Sequence, residues 1–108
     1  MTAKARVKVP ETARAGETIT IRSLVRHRME SGHRRGEDGE LVPRDIVRRF
    51  EAAFDGETFF SVELGTGIAA NPYLEFTARV ERAGTFRFTW TDDAGETVAL
   101  ERRIALEG

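Results

Sequence analysis

The segment PRDIVRRFEAAFDGETFFSVEL, residues 43–64, decides the fold. Its first half permits two readings. Ile46, Arg49 and Phe50 are spaced as on one face of a helix, whereas Phe50, Ala52 and Phe54 alternate as on one face of a strand. The continuation separates them. Asp55-Gly56 is a two-residue turn signal, because Gly tolerates a positive φ and Asp caps the turn. Beyond it Phe60, Val62 and Leu64 take up the alternation again. A hairpin therefore predicts a strand from about Val47 rather than a helix.

Working outward, the same period of two recurs on both sides. Val7 and Val9 come first, then Ile19, Ile21, Ser23 and Val25. After the hairpin follow Leu74, Phe76, Ala78 and Val80, then Phe86, Phe88 and Trp90, then Val98 and Leu100, with Ile104 and Leu106 last. Polar residues stand between most of them. One buried face and one wet face are what an antiparallel sheet packed on a second sheet requires. Ala83-Gly84 and Asp93-Ala94-Gly95 punctuate the final meander as turns. The expected fold is all-β: a small immunoglobulin-like, E-set-type antiparallel β-sandwich of about seven strands, formed as one domain over residues 1–108. Three sizeable loops remain, at residues 10–16, 27–43 and 65–72.

Composition narrows the function classes. With 17 Lys and Arg against 18 Asp and Glu, the net charge is -1, so no global positive field draws the chain to nucleic acid. Cysteine is absent, which excludes a disulfide framework, thiolate metal ligation and cysteine catalysis. No apolar run approaches the length of a membrane span, and no signal-peptide h-region follows the opening residues MTAKARVKVP. These features alone suggest the cytoplasm.

The loop at 27–43 holds both histidines and a dense set of arginines. A zinc site needs three or four N, O or S ligands, and here Arg26, Arg28, Arg34 and Arg35 crowd the oxygens of Glu30, Glu37 and Asp38. Two surface histidines are the expected reading. No nucleophile elbow, paired carboxylate or phosphate cradle accompanies them, so no catalytic residue, cofactor or metal is expected. Asp92-Asp93 is expected to make local backbone bonds in its turn. In GIAANPYLEF, Ile68, Pro72 and Tyr73 put apolar and aromatic mass beside Asn71. Two readings stand: Tyr73 plugs the end of the sandwich, or it serves a protein interface.

Taken together, H-x-M-E-S-G-x-R-R from His27, then G-x-L-V-P-R-D-I-V, the Asp-Gly hairpin, IAANPYLEF and AGTFRFTWTDDAG resemble the SoxZ family over nearly the whole chain. Arg28 stands where the family usually has Pro, and His33 where a more hydrophobic residue is common. The resemblance implies a structural, non-enzymatic subunit of a heterodimeric sulfur carrier in thiosulfate oxidation. Its partner would be a SoxY-like subunit carrying sulfur intermediates on a cysteine in a flexible C-terminal arm. The resemblance also implies a periplasmic address, reached with the signal-bearing partner, and transient contacts with sulfur-oxidation enzymes. His27, Arg28, Glu30, His33, Arg34, Arg35, Ile68, Asn71, Pro72 and Tyr73 are the candidate partner-facing or docking residues. Nucleic acid and membrane are not expected partners. An isolated chain is expected to expose a face able to form a homodimer. The competing reading is a generic β-sandwich binding or chaperone-like module that pairs with a peptide through a sheet edge.

Overall fold

The computed structural model describes residues 4–107. Met1 to Ala3 and Gly108, included in the expected domain, lie outside the described residues. Eight strands follow one another without a helix among the described residues: β1 (Ala5–Lys8), β2 (Thr12–Ala13), β3 (Glu17–Val25), β4 (Val47–Phe54), β5 (Glu57–Glu63), β6 (Tyr73–Val80), β7 (Gly84–Asp92) and β8 (Thr97–Leu106). They form two sheets, β1-β3-β6 and β2-β8-β7-β4-β5. The molecule is an all-β, two-sheet sandwich.

The hairpin that decided the fold is present. β4 starts at Val47, and the helical alternative does not occur. Asp55 and Gly56 both have positive φ, 49° and 85°, the backbone twist that suits a two-residue hairpin. The Asp55 carboxylate does not cap its own turn. It accepts the Thr85 N–H at 2.8 Å and so ties the turn to β7.

Three other expectations need correction. The sandwich has eight strands, in keeping with the about seven expected, but it is not wholly antiparallel. β2, inside the expected 10–16 loop, runs parallel to β8, pairing Thr12 with Ala105 and Ala13 with Leu106. Ala13 is buried, which explains why so short a strand is held in place. Gly84 is not a turn residue but the first residue of β7, paired with Ile104. Leu106, the last residue of β8, is exposed although it keeps the phase of Ile104.

The alternating residues meet between the sheets. Phe50, Phe86, Phe88, Trp90 and Ile104 from the larger sheet and Ile19, Ile21, Val25, Phe76 and Val80 from the smaller form the buried core. A bulge refines the pattern: Ala52 faces Phe60 and Ala53 faces Thr58, leaving Phe59 as the extra residue. Consecutive residues then share a side, and both Phe59 and Phe60 reach Phe76, with centroids 6.3 and 4.5 Å away.

Gly84 is fixed by space rather than by φ. A Cβ there would lie 2.4 Å from Phe54 Cζ and 2.7 Å from the Asp55 carboxylate oxygens. Gly84→Ala must therefore displace the Phe54 ring, which packs on Phe86 at 4.8 Å. Urea unfolding followed by emission of Trp90, the only tryptophan, should show a loss of about 1–3 kcal/mol. An unchanged midpoint would contradict this close approach.

Candidate functional site

Topology gathers the long connections at one end. The chain crosses between sheets from β3 to β4 and again from β5 to β6. Register places Leu24 opposite Tyr73, Arg49 opposite Glu63 and Val47 opposite Asp92. The 26–46 and 64–72 connections and the β7–β8 turn therefore share that end.

The charged 27–43 loop is largely an arm. Glu30 and Asp45 exchange both backbone hydrogen bonds at 2.9 Å, Arg34 O accepts the Val42 N–H at 2.7 Å, and Arg35 bridges to Leu41. Near the tip, Gly36 N–H donates to Glu40 O at 2.8 Å, and Arg35 Nη1 donates to Gly39 O at 2.7 Å. Gly39 supplies a φ of 80° to the turn. On the arm's side, Arg34 grips both oxygens of Glu30, at 2.6 and 3.1 Å. The Arg34 hydrogen bonds hold the Glu30 carboxyl below the usual glutamate range.

Three contacts pin the arm's base. Met29, at a φ of 56°, turns its side chain into the core, and its Sδ accepts the Val47 N–H at 3.3 Å. A left-handed methionine is an uncommon conformation, held here by the burial of that side chain. Asn71, also left-handed at 56°, clamps the second loop onto the first. Its Oδ1 accepts the His27 N–H at 2.9 Å, and its own N–H donates to His27 O at 2.8 Å. Asn tolerates that φ better than other side-chain-bearing residues. Finally, Asp93 accepts two bonds from Arg44, at 2.7 and 3.0 Å, and one from Ile46 N–H at 3.1 Å. Asp92 makes the expected local bonds, accepting the Ala94 and Glu96 N–H groups.

His27, Arg28, Glu30, Arg34 and Asn71 line one open groove of about 910 Å³, with Lys4, Arg26 and Asp45 among the other walls. His33, Arg35, Ile68, Pro72 and Tyr73 do not line it. His33 and Arg35 are exposed on the arm, and Ile68 is exposed on the second loop. His27 is not a surface histidine. Its side chain is 10% exposed, its Nδ1 accepts the Met29 N–H at 3.0 Å, and its Nε2 lies 3.7 Å from Asp45. Pro72 is buried, with its carbonyl accepting the Val25 N–H, so it shapes the loop and offers no docking surface. Tyr73 opens β6 rather than closing the loop. It is 55% exposed and does not plug the sandwich; its hydroxyl donates to Glu75 at 3.0 Å. Among the described residues no cluster of three His, Cys, Asp or Glu side chains is placed to hold a metal ion.

Sequence reasoning missed Met29 and Arg44, did not place Ile46 at the site, and expected local turn bonds from Asp93, whose carboxylate instead reaches Arg44 and Ile46. Ile46 and Met29 are buried outside any strand, where alternation gives no signal, and Asp93 is joined to Arg44 across 49 residues.

The family model described as "Sulphur oxidation protein SoxZ" matches residues 7–102. The chain belongs to the SoxZ family. SoxZ proteins are the non-catalytic partner subunits of the carrier in thiosulfate oxidation, and membership implies a SoxY-like partner. Members of the family are typically periplasmic. No curated protein matches the sequence. Among solved structures, the superoxide reductase (neelaredoxin) from Ignicoccus hospitalis is similar, with a TM-score of 0.75 and 18% identity, covering 95% of this chain and 80% of that one. The sulfur carrier protein SoxY from Chlorobium limicola f thiosulfatophilum is also similar, with a TM-score of 0.66 and 10% identity over 96% and 79% of the two chains. A putative superoxide reductase from Thermotoga maritima gives 0.70 and 14%, over 96% and 86%. At such identities these likenesses show the fold alone.

The Asp93 cluster gives a pH signature. The Arg44 hydrogen bonds, more than the Ile46 N–H, hold the Asp93 carboxyl below its ordinary value of 3.8. Folding therefore favours the charged form. That contribution is complete above the unfolded value and is lost as pH falls through the depressed folded value. Urea unfolding of wild type and Asp93→Asn should differ most at neutral pH and converge as the solution is acidified below pH 3.8. A gap independent of pH would contradict the charged pairing.

Proposed function

We propose that this SoxZ-family chain is the cysteine-free structural half of a heterodimeric sulfur carrier, built as one immunoglobulin-like, E-set-type domain over residues 1–108. Its partner is a SoxY-like subunit whose C-terminal cysteine holds the sulfur intermediates. The chain supports that subunit and helps present the cysteine to sulfur-oxidation enzymes, which it touches transiently. The single observation that carries the reading is the family match across residues 7–102. The composition supports it. With no thiol of its own, the chain cannot carry the cargo as a thiol adduct and offers no rival for mixed-disulfide formation. Its address is the periplasm, reached together with the signal-bearing partner.

The docking surface we propose is the loop-bearing end of the sandwich. His27, Arg28, Glu30, His33, Arg34 and Arg35 provide its polar part, and Ile68, Asn71 and Tyr73 its second part. Exposed arginine and tyrosine suit this role, since each combines a broad contact area with directed polar groups. The fixed arm supports it too: a surface ordered before encounter loses less conformational freedom on binding. The unpaired outer edges of β5 and β6, with Phe59 exposed between them, support self-association of the isolated chain.

Co-expression with a SoxY-like subunit should give a 1:1 complex by native mass spectrometry. Charge reversal of Arg34 and Arg35 together, and Tyr73→Ala separately, should each weaken assembly or thiosulfate-dependent turnover about tenfold or more. Unchanged assembly and turnover in both would overturn the assigned docking surface.

A further inference from the structure

The groove at the arm's base contains more donors than the fold uses. His27 is nine-tenths covered, and only one of its ring nitrogens has a hydrogen-bond partner. Because Nδ1 accepts the Met29 N–H, the neutral ring carries its proton on Nε2. His27 lines the groove, and its Nε2 lies 3.7 Å from Asp45 Oδ1, beyond a good hydrogen bond. Such a group is fixed, directed and without a close acceptor.

The charges around it are unequally committed. Arg34 is taken by Glu30 in a two-point pair. Asp92 accepts two backbone N–H groups, and Glu96 is engaged in an interaction of its own. Arg26 and Arg28, on either side of His27, are exposed, and neither guanidinium makes an ion pair or hydrogen bond among the described residues. The Arg26 backbone is nevertheless held, its N–H donating to Lys4 O at 2.8 Å. This brings the start of β1, and with it Lys4, to the same groove. The site thus offers the Arg26 guanidinium, an Arg28 guanidinium drawn to Glu30 by charge but not hydrogen-bonded to it, one ammonium and an imidazole N–H, with Ala70 and Val42 as apolar walls.

We propose that this groove is a binding site for a sulfur oxyanion, recognised by Arg26, Arg28 and the His27 Nε2–H. The inference rests on the proposed function only for the choice of anion: oxidised sulfur at neutral pH is an oxyanion with several acceptor oxygens. A guanidinium presents paired donors that match such a group better than a point charge does. The shared chemistry has two sources, free thiosulfate or sulfate, and a sulfonated cysteine carried on a peptide arm. An open groove of this size admits either.

The isolated full-length chain is titrated at matched ionic strength with sodium thiosulfate, sodium sulfate, a glycine-rich peptide containing S-sulfocysteine, and sodium acetate as a control. The readout is NMR of the His27 ring and the arginine Nε–H groups. Saturable shifts of the His27 and Arg26/Arg28 signals with a sulfur oxyanion, and not with acetate, are expected. Response to the inorganic salts alone assigns the free anion; response to the peptide assigns the protein-borne group. Arg26→Gln with Arg28→Gln should weaken binding at least tenfold while leaving the unfolding midpoint unchanged, because neither side chain supports the fold. His27→Gln should weaken it as well. No saturable shift, an equal response to acetate, or full affinity in the double variant overturns the proposal. Pairing with the SoxY-like subunit is scored separately on wild type. Pairing without anion binding removes this inference alone, and anion binding without pairing removes the functional reading alone.

Discussion

Phe50 is the ring on which the two sheets lean. It is fully buried on β4 and meets Trp90 at 5.1 Å and Phe88 at 6.4 Å within its own sheet. It also meets Phe76 of the opposite sheet at 5.6 Å, edge to face. Burial of one such ring contributes on the order of 1.5–3 kcal/mol, and its contacts with neighbouring rings add to that. β4 therefore has little freedom to slide: a shift of one residue would turn Phe50 and Ala52 to solvent.

That fixed strand also fixes the site. Three residues before Phe50, the Val47 N–H is held by Met29 Sδ, and Ile46 before it exchanges bonds with Asp93. The base of the arm is thus an extension of the core rather than a loop laid over it. Asn71 then fastens the second connection to His27, so two connections from opposite sheets share one rigid base. The left-handed backbone at Met29 and Asn71 is what lets the chain turn sharply enough to make these contacts.

Much of the fold was legible because burial on one side of a strand writes itself into the sequence every second residue. The Val47 start and the Asp-Gly turn were read from that alternation and from turn chemistry. β2 escaped because two residues cannot show a period, and its partner is 93 positions away. Phe59 escaped because a bulge breaks the period. The site was half legible. Its residue types stood out, and the family pattern gathered them, but composition could not show that His27 and Pro72 turn inward or that Tyr73 stays outside. Nor could it show that the arginines differ in commitment: Arg34 and Arg44 are hydrogen-bonded to carboxylates, while Arg26 and Arg28 make no such bond among the described residues. Those distinctions depend on pairings between distant segments, which a local reading does not contain.

The outcome is a division of labour between two ends of one sandwich. At the hairpin end, Asp55, Phe54 and Gly84 close the structure tightly. At the other, ordered loops present donors and aromatic surface over a core that does not need them. The most direct measurement is hydrogen–deuterium exchange of this chain with and without its SoxY-like partner. The account predicts that new protection concentrates in residues 26–35 and 68–73. Protection confined to the β5 and β6 edges, with those loops unchanged, would contradict it.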